Sequence, residues 1–379
     1  MIGAGSGRSV SVRRWRRLEK PGKNIVVCLD GTGNQLKARG STNVVRLFEL
    51  LDLRDPAAQV AYYDPGVGTF GAHGAWTPVA RSVSRVLGLA IGSGMRENLG
   101  EAYQFLMGAW APGDRLYLFG FSRGAYTVRA LAGMLYRVGL LRPGCENLVP
   151  YAVGVYARNR GRDDLSGDEG WDRIDRFSAA FARTHDRTRT IPITFMGIWD
   201  SVKAARLFGR DLRWPYTVRL PNAAAVWHAV SIDERRRPYR EYLVRPDPAR
   251  TVLNETWFAG VHSDVGGTFE DDPKLADITL KWMAEGAMGA GLLLRQRAYR
   301  NRCTLTPGHA TGTIHKMGRI WALAGYRGRT VPEGARVHAS VRDRVAHDPG
   351  YRRRLPADDL VWENEQWQAP LLTSPSSER

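Results

Sequence analysis

The chain of 379 residues has few cysteines and no long apolar run. Cys28, Cys145 and Cys303 are an odd number without C-x-x-C spacing, which argues against a disulfide framework and a zinc site. No run of about 18 apolar residues is present, so we expect no transmembrane helix. Residues 1–22 contain arginines but lack the apolar segment of a secretory signal, and we expect a flexible basic tail there. The expected location is therefore cytoplasmic, with signal-less export left open.

Acidic residues are also scarce. The chain has 38 aspartates and glutamates against 55 lysines and arginines, a formal net charge of +17 at pH 7. Basic surfaces can bind nucleic acid or anionic membranes. The arginines are dispersed among acidic residues, and no zinc-finger, helix-turn-helix or RNP pattern accompanies them. We therefore expect no specific nucleic-acid partner, whereas peripheral contact with an anionic membrane is compatible with the charge. Nothing in the composition indicates an oligomeric state.

Signatures of nucleotide cofactors are missing as well. Gly92-Ser93-Gly94 is too short for a dinucleotide-binding fingerprint, and no Walker lysine is present. Residues 26–32 resemble the D-x-D-G-T loop of haloacid-dehalogenase-like phosphatases, but Cys28 stands where that chemistry needs an aspartate nucleophile. We therefore expect a protein that uses neither a cofactor nor a metal ion.

The chain does contain apolar strands that alternate with helical segments. Apolar runs predict strands near residues 24–29, 59–63, 115–119, 191–199 and 255–261, and 223–230 is compatible with either a strand or a helix. Helical spacing occurs at 42–51, 79–90, 95–107, 125–135 and 275–288. This alternation predicts an α/β fold with a doubly wound, mainly parallel sheet and helices on both faces. We expect one catalytic domain over 23–360, a surface insertion at 158–175 and a C-terminal tail at 361–379.

The most specific motif is the pentapeptide Gly120-Phe121-Ser122-Arg123-Gly124. It lies between a predicted strand and a predicted helix, which is the context of a nucleophile elbow. The glycines permit the tight turn, and the serine is pushed outward at its tip. The N-terminus of the following helix supplies N–H groups that favour developing negative charge. Ser122 is therefore the candidate nucleophile.

Two further polar residues suit a hydrolytic triad. Ser122, Asp200 and His262 each follow a predicted strand, in the chain order of an α/β hydrolase. His262 is the candidate base because neutral imidazole can accept the serine proton near pH 7. Asp200 is the candidate acid that fixes and stabilises the imidazole. Asp30 and Asp264 stay open as alternatives, although Asp264 is only two residues from His262 and would more naturally orient a loop.

The loop at residues 30–34 is expected beside the elbow. Its small residues would let backbone N–H groups approach a substrate oxygen, so Gly31 and Thr32, together with Arg123, are the candidate oxyanion hole. The alternative is a tight turn in which the carboxylate of Asp30 caps local N–H groups. The two interpretations are compatible with each other.

Four motifs occur in an order that resembles one protein family. They are Cys28-Leu29-Asp30-Gly31-Thr32-Gly33-Asn34, Gly120-Phe121-Ser122-Arg123-Gly124-Ala125, Ile232-Asp233-Glu234-Arg235-Arg236 and Trp257-Phe258-Ala259-Gly260-Val261-His262-Ser263-Asp264-Val265-Gly266-Gly267. The pattern is similar to the family of uncharacterised α/β-hydrolase domains that includes the type VI secretion phospholipase effectors. Residues 337–342 resemble that family's C-terminal segment, so the resemblance extends over residues 23–359.

The resemblance implies an α/β-hydrolase fold and serine-ester hydrolysis. Ser122 matches the family's nucleophile and His262 its histidine motif. The expected function is cleavage of carboxylic esters, phospholipid or other lipid acyl esters among them, through a Ser-His-Asp triad and an acyl-enzyme. The expected partner is then an ester or lipid substrate. A non-catalytic binding module on a hydrolase scaffold is the alternative, because a fold does not fix function.

Overall fold

The computed structural model of the chain describes residues 22–31, 40–66, 91–158, 169–202, 214–318, 321, 325–356 and 360–369. Within them, one sheet contains eight strands: β1 Asn24–Leu29, β2 Gln59–Asp64, β3 Arg115–Phe121, β4 Ile193–Trp199, β5 Ala223–Ser231, β6 Val252–Phe258, β7 Arg336–His338 and β8 Val361–Glu363. The strand order is β2-β1-β3-β4-β5-β6-β7-β8, and every neighbouring pair is parallel. The predicted doubly wound, mainly parallel sheet of an α/β-hydrolase-like fold is confirmed. The ambiguous segment near 223–230 is a strand.

Helices cover both faces of the sheet. The described helices are α1 Asn43–Leu50, α2 Ile91–Ala109, α3 Arg123–Arg137, α4 Val149–Arg158, α5 Glu169–Phe181, α6 His262–Gly266, α7 Lys274–Gly289, α8 Gln296–Arg302 and α9 Ala339–His347. Helices α2 to α5 share one apolar core, and α1 and α6 to α9 share the other. Alternation along β1 separates the two cores, because Ile25 and Val27 enter the first, whereas Val26 and Cys28 enter the second. Among the described helices, none has the length and apolarity needed to cross a bilayer.

Helix α5 corrects the predicted surface insertion at 158–175. Trp171 and Ile174 lie on its apolar side and are almost fully buried in the first core. The charged residues Asp172, Arg173 and Asp175 occupy the exposed side of this amphipathic helix. Residues 159–168 of the predicted insertion, the predicted helix at 79–90 and the predicted basic tail up to residue 21 lie outside the described residues.

The fold continues past the predicted domain boundary at residue 360. Val361–Glu363 form β8, which pairs with β7. Trp367 is 2% exposed, and its indole N–H donates to Asp343 at 2.9 Å. Residues that we expected to be a C-terminal tail therefore belong to the sheet and the second core as far as Trp367.

The strand order changes direction between β1 and β3. The chain places β2 on one side of β1 and the remaining strands on the other side, beginning with β3. In doubly wound sheets, a crevice forms at the carboxyl ends of two such strands. Asp30 and Gly31 follow β1, and Ser122 follows β3. The predicted elbow therefore lies at the point where this topology opens a site.

Candidate active site

Ser122 occupies a strained turn between β3 and α3. Its φ of 58° and ψ of −120° lie in a region that few residues other than glycine adopt. The flanking glycines are needed for close packing. A Cβ on Gly124 would lie 2.1 Å from the carbonyl oxygen of Leu29, and one on Gly120 would lie 2.7 Å from the backbone of Gly124. The elbow therefore packs directly against the end of β1.

His262 reaches the serine from the first residue of α6. Its Nε2 lies 2.8 Å from Oγ of Ser122, and its Nδ1 lies 2.5 Å from Oδ2 of Asp200. An ionised carboxylate only accepts hydrogen bonds, so Nδ1 carries the proton and Nε2 accepts from the serine hydroxyl. The ring centroids of Phe121 and Tyr239 lie 4.6 and 4.8 Å from the centroid of the imidazole. Phe121 stacks on the imidazole, and Tyr239 packs against it edge to face. The structure thus brings the three predicted triad residues together.

The charges around the imidazole suit a general base. Burial lowers the pKa of His262, and the hydrogen bond to Asp200 opposes this only in part. Burial alone would raise the pKa of Asp200, but the Arg329 charge and the hydrogen bonds from His262 and Arg329 hold it well below its ordinary value. At neutral pH the histidine is therefore neutral and the aspartate ionised, which is the protonation pattern of a resting triad.

Both carboxylate oxygens of Asp200 accept hydrogen bonds. It follows β4 with a φ of 37° and has no exposed surface. Its Oδ1 accepts the N–H of Ser231 at 2.9 Å. The guanidinium of Arg329 donates to Oδ1 at 2.5 Å and to Oδ2 at 3.0 Å. Sequence reasoning missed Arg329, because one arginine among so many carries no local signal.

The motif at 232–236 supports the histidine from behind. Glu234 is buried, accepts the backbone N–H of His262 at 3.2 Å and pairs with Arg236 at 2.8 Å. Burial raises the pKa of Glu234, but the Arg236 contacts outweigh it and hold that pKa below its ordinary value. Asp233 accepts the N–H of Gly260 at 2.8 Å. Both carboxylates therefore fix the turn between β6 and α6, a role that the sequence alone did not reveal.

The two alternative acids do not contact the imidazole. Asp264 accepts the N–H of Val261 at 2.8 Å, and its other oxygen lies 2.5 Å from Nδ1 of His315. It therefore caps the N-terminus of α6, whereas we expected it to orient a loop. Asp30 accepts the hydroxyls of Thr42 and Tyr63 at 2.5 and 3.1 Å. Of the three candidate acids, Asp200 alone contacts the histidine ring.

The predicted oxyanion hole is described in part. Arg123 is the first residue of α3, so its N–H has no acceptor within the helix. The N–H of Gly31 donates to the carboxylate of Asp30 at 2.6 Å, which is the local capping that we gave as the alternative. Thr32 lies outside the described residues. The oxyanion roles of Gly31, Thr32 and Arg123 stay predictions.

Comparison with known proteins adds a family match and several more distant likenesses. A family model described as T6SS, phospholipase effector Tle1-like, catalytic domain, matches residues 23–286. The uncharacterized protein YEL023C of Saccharomyces cerevisiae is 35% identical over 251 residues. That alignment covers 65% of this chain and 36% of the yeast protein, so the chain spans little more than a third of this curated relative.

Two solved structures are similar at 17% identity. The first is an uncharacterized protein from Pseudomonas aeruginosa, with 76% of this chain and 48% of that chain covered and a TM-score of 0.37. The second is the Tle1 effector bound to the VgrG spike from the type 6 secretion system, with coverages of 70% and 56% and a TM-score of 0.32.

Proposed function

The chain belongs to the family of T6SS Tle1-like phospholipase effector catalytic domains, and from this premise we propose that it is a serine hydrolase that cleaves carboxylic esters of lipids. The observation that carries the proposal is the run of contacts from Ser122 to His262 at 2.8 Å and on to Asp200 at 2.5 Å. A non-catalytic binding module needs no such arrangement, and the short distance between serine and histidine favours the hydrolase over that alternative.

In the proposed acylation step, the serine attacks the ester carbonyl carbon. Nε2 of His262 removes the proton from Oγ of Ser122 as the new C–O bond forms. Asp200 stabilises the resulting imidazolium through Nδ1. The carbonyl oxygen becomes an oxyanion, and the backbone N–H of Arg123 at the start of α3 is its proposed donor. The imidazolium then protonates the departing alcohol, the ester C–O bond breaks, and the acyl group stays on the serine.

Deacylation repeats the same proton transfers with water. His262 removes a proton from a water molecule, which attacks the acyl carbon. Collapse of the second tetrahedral species breaks the bond to Oγ and returns the proton to Ser122. The family points to a phospholipid acyl ester as the bond that is cleaved. A net charge of +17 would draw such an enzyme to an anionic lipid surface.

A fluorophosphonate probe and an ester assay test the proposal together. We expect the probe to label Ser122, and we expect the protein to hydrolyse short acyl esters and phospholipids in vesicles. Ser122→Ala should abolish labelling and lower kcat by about 10⁴-fold or more, because the activated nucleophile is gone. Ser178→Ala is the matched control, since Ser178 is also buried but donates to the carbonyl of Val138. A folded protein with neither labelling nor ester hydrolysis would refute the proposal.

A further inference from the structure

The triad acid is paired with an arginine from beyond the family-matched residues. The match ends at residue 286, whereas Arg329 lies in the C-terminal segment 325–335. Its side chain is 2% exposed, and its two terminal nitrogens contact the two oxygens of Asp200. Such a bidentate pair fixes the orientation of a carboxylate as well as its charge. We propose that Arg329 is a positioning residue for the triad acid, which it orients and whose negative charge it balances. This inference rests on the proposed hydrolase function.

Backbone pairing brings this arginine to the site. The N–H of Arg327 donates to the carbonyl of Arg235 at 2.7 Å, and the N–H of Arg237 donates to the carbonyl of Gly325 at 3.1 Å. These bonds lay the segment antiparallel to residues that follow β5. Arg329 then enters between the ends of β4 and β5. These backbone hydrogen bonds therefore hold the segment in place independently of the contact between Arg329 and Asp200.

The guanidinium of Arg329 forms hydrogen bonds to Asp200 and Tyr239, two residues that contact the imidazole of His262. It donates to the hydroxyl of Ser231 at 2.7 Å, and Ser231 also donates its N–H to Asp200. Its Nη2 donates to the carbonyl of Tyr239 at 2.5 Å, and the ring of Tyr239 packs against His262. Arg329 thus joins Asp200 and Tyr239, the residue whose ring packs against His262, in one hydrogen-bond network.

The arginine has two electrostatic effects on the triad. A fully buried carboxylate without a counter-charge would tend to take up a proton, and a protonated Asp200 could not stabilise an imidazolium. Because Arg329 and His262 share Oδ2 of Asp200, the guanidinium also opposes a positive charge on the imidazole. Loss of the arginine therefore favours protonation at both Asp200 and His262.

Several other charged or titratable groups surround the pair, and all of them remain in an Arg329 variant. They are Glu234, Arg236, Tyr239, Glu241 and Arg123. Glu234 and Arg236 balance each other, and Glu241 lies 3.6 Å from Nε of Arg329. Arg236 also interacts electrostatically with Asp200, but Glu234 balances its charge, so removal of Arg329 still lowers the positive charge next to the carboxylate.

The pH profile of kcat/KM on a soluble acyl ester distinguishes positioning from mere support of the fold. For Arg329→Met we expect the acid limb to move upward by on the order of one pH unit, with a lower kcat at every pH. Arg329→Lys keeps the positive charge but cannot form the bidentate pair with Asp200. The acid limb of its pH profile should therefore stay near the wild-type position while kcat falls. A residue that only stabilised the fold would lower activity without moving the limb.

Arg344→Met is the matched control. Arg344 is also a partly buried arginine of the C-terminal region, but it donates to the carbonyls of Ala310 and Gly312 and does not contact the triad. We expect this variant to keep the wild-type limb and kcat. Thermal unfolding of each variant shows which are folded.

The outcomes separate the inference from the proposed function. If wild type is labelled by the fluorophosphonate and Arg329→Met keeps the wild-type limb, the positioning role is wrong while the hydrolase stands. If wild type is neither labelled nor active, the proposed function itself fails. If Arg329→Met does not fold, Arg329→Lys decides, because a wild-type kcat in that variant overturns the positioning role.

Discussion

The contact between the elbow and the end of β1 leaves no room for a side chain on Gly124. In Gly124→Ala, the new Cβ would lie 2.1 Å from the carbonyl oxygen of Leu29 and 2.6 Å from that of Asp30. Carbon and carbonyl oxygen approach no closer than about 3.3 Å even in favourable contacts, so β1 and α3 must separate by about 1 Å. Both elements are buried backbone and neither can rotate away. We expect overpacking to cost about 3 kcal/mol of unfolding free energy.

The same displacement should reach the chemistry. Ser122 and the N–H of Arg123 move with α3, and a misplacement of about 1 Å can cost about 100-fold in rate. We therefore expect kcat/KM on a soluble acyl ester to fall by about two orders of magnitude. Urea unfolding and steady-state kinetics on the same preparation measure the two effects.

Gly154→Ala is the control for the glycine substitution itself. Gly154 lies in α4, and a Cβ there would meet no atom within 4 Å. Alanine favours the helix, so this variant should gain about 0.5–1 kcal/mol and keep its activity. Wild-type stability and activity in Gly124→Ala would refute the reasoning, because they would mean that β1 does not pack against the elbow.

Two further predictions concern buried titratable groups. Asp200→Asn should lower kcat by about 10⁴-fold, because the neutral amide cannot stabilise the imidazolium. It should also destabilise the fold by about 3–5 kcal/mol, because it breaks the buried bidentate pair with Arg329 and leaves Glu241, at 3.6 Å, as the acidic neighbour of that arginine. Asp175→Asn, which removes a half-exposed partner of Arg137, is the control and should change neither kcat nor the urea midpoint appreciably. Burial and the nearby Lys281 charge lower the pKa of His338 to about 3. Only the unfolded chain then binds this proton below about pH 6.5, so the unfolding free energy should fall as the pH drops from there toward 3. His338→Gln should show a shallower decline, and an equally steep decline in urea titrations at several pH values would contradict this assignment.

Much of the sheet was predictable because its strands carry their own local signals. Residues 25–29 are continuously apolar and are followed by a turn, so they identify β1 without knowledge of its partners. Strands β7 and β8 span three residues each, which is too short for any periodicity. Their pairing depends on tertiary contacts, and the predicted domain end at residue 360 was misplaced for that reason.

The residues of the site also differ in how far the sequence predicted them. Ser122 and Asp200 directly follow β3 and β4, and His262 comes shortly after the end of β6. Parallel topology brings such ends to one edge, so their proximity was predictable. Their catalytic roles stay predictions. Arg329 follows no strand and has no sequence motif, and its pairing depends on an antiparallel contact between two irregular segments. The use of the Gly31 N–H by Asp30 depends on a side-chain orientation that no sequence pattern encodes.

The contacts of the site join distant parts of the chain, and this has a consequence for biosynthesis. Serine and histidine are 140 residues apart, and Asp200 and Arg329 are 129 residues apart. Contacts of such long range carry a loop-closure cost that the rest of the fold must offset, and domains generally fold as units during synthesis. A nascent chain that has exposed only its first 300 residues contains the serine, aspartate and histidine but lacks the arginine that orients the acid. We therefore expect the proposed triad to gain the support of Arg329 only after the C-terminal segment has left the ribosome.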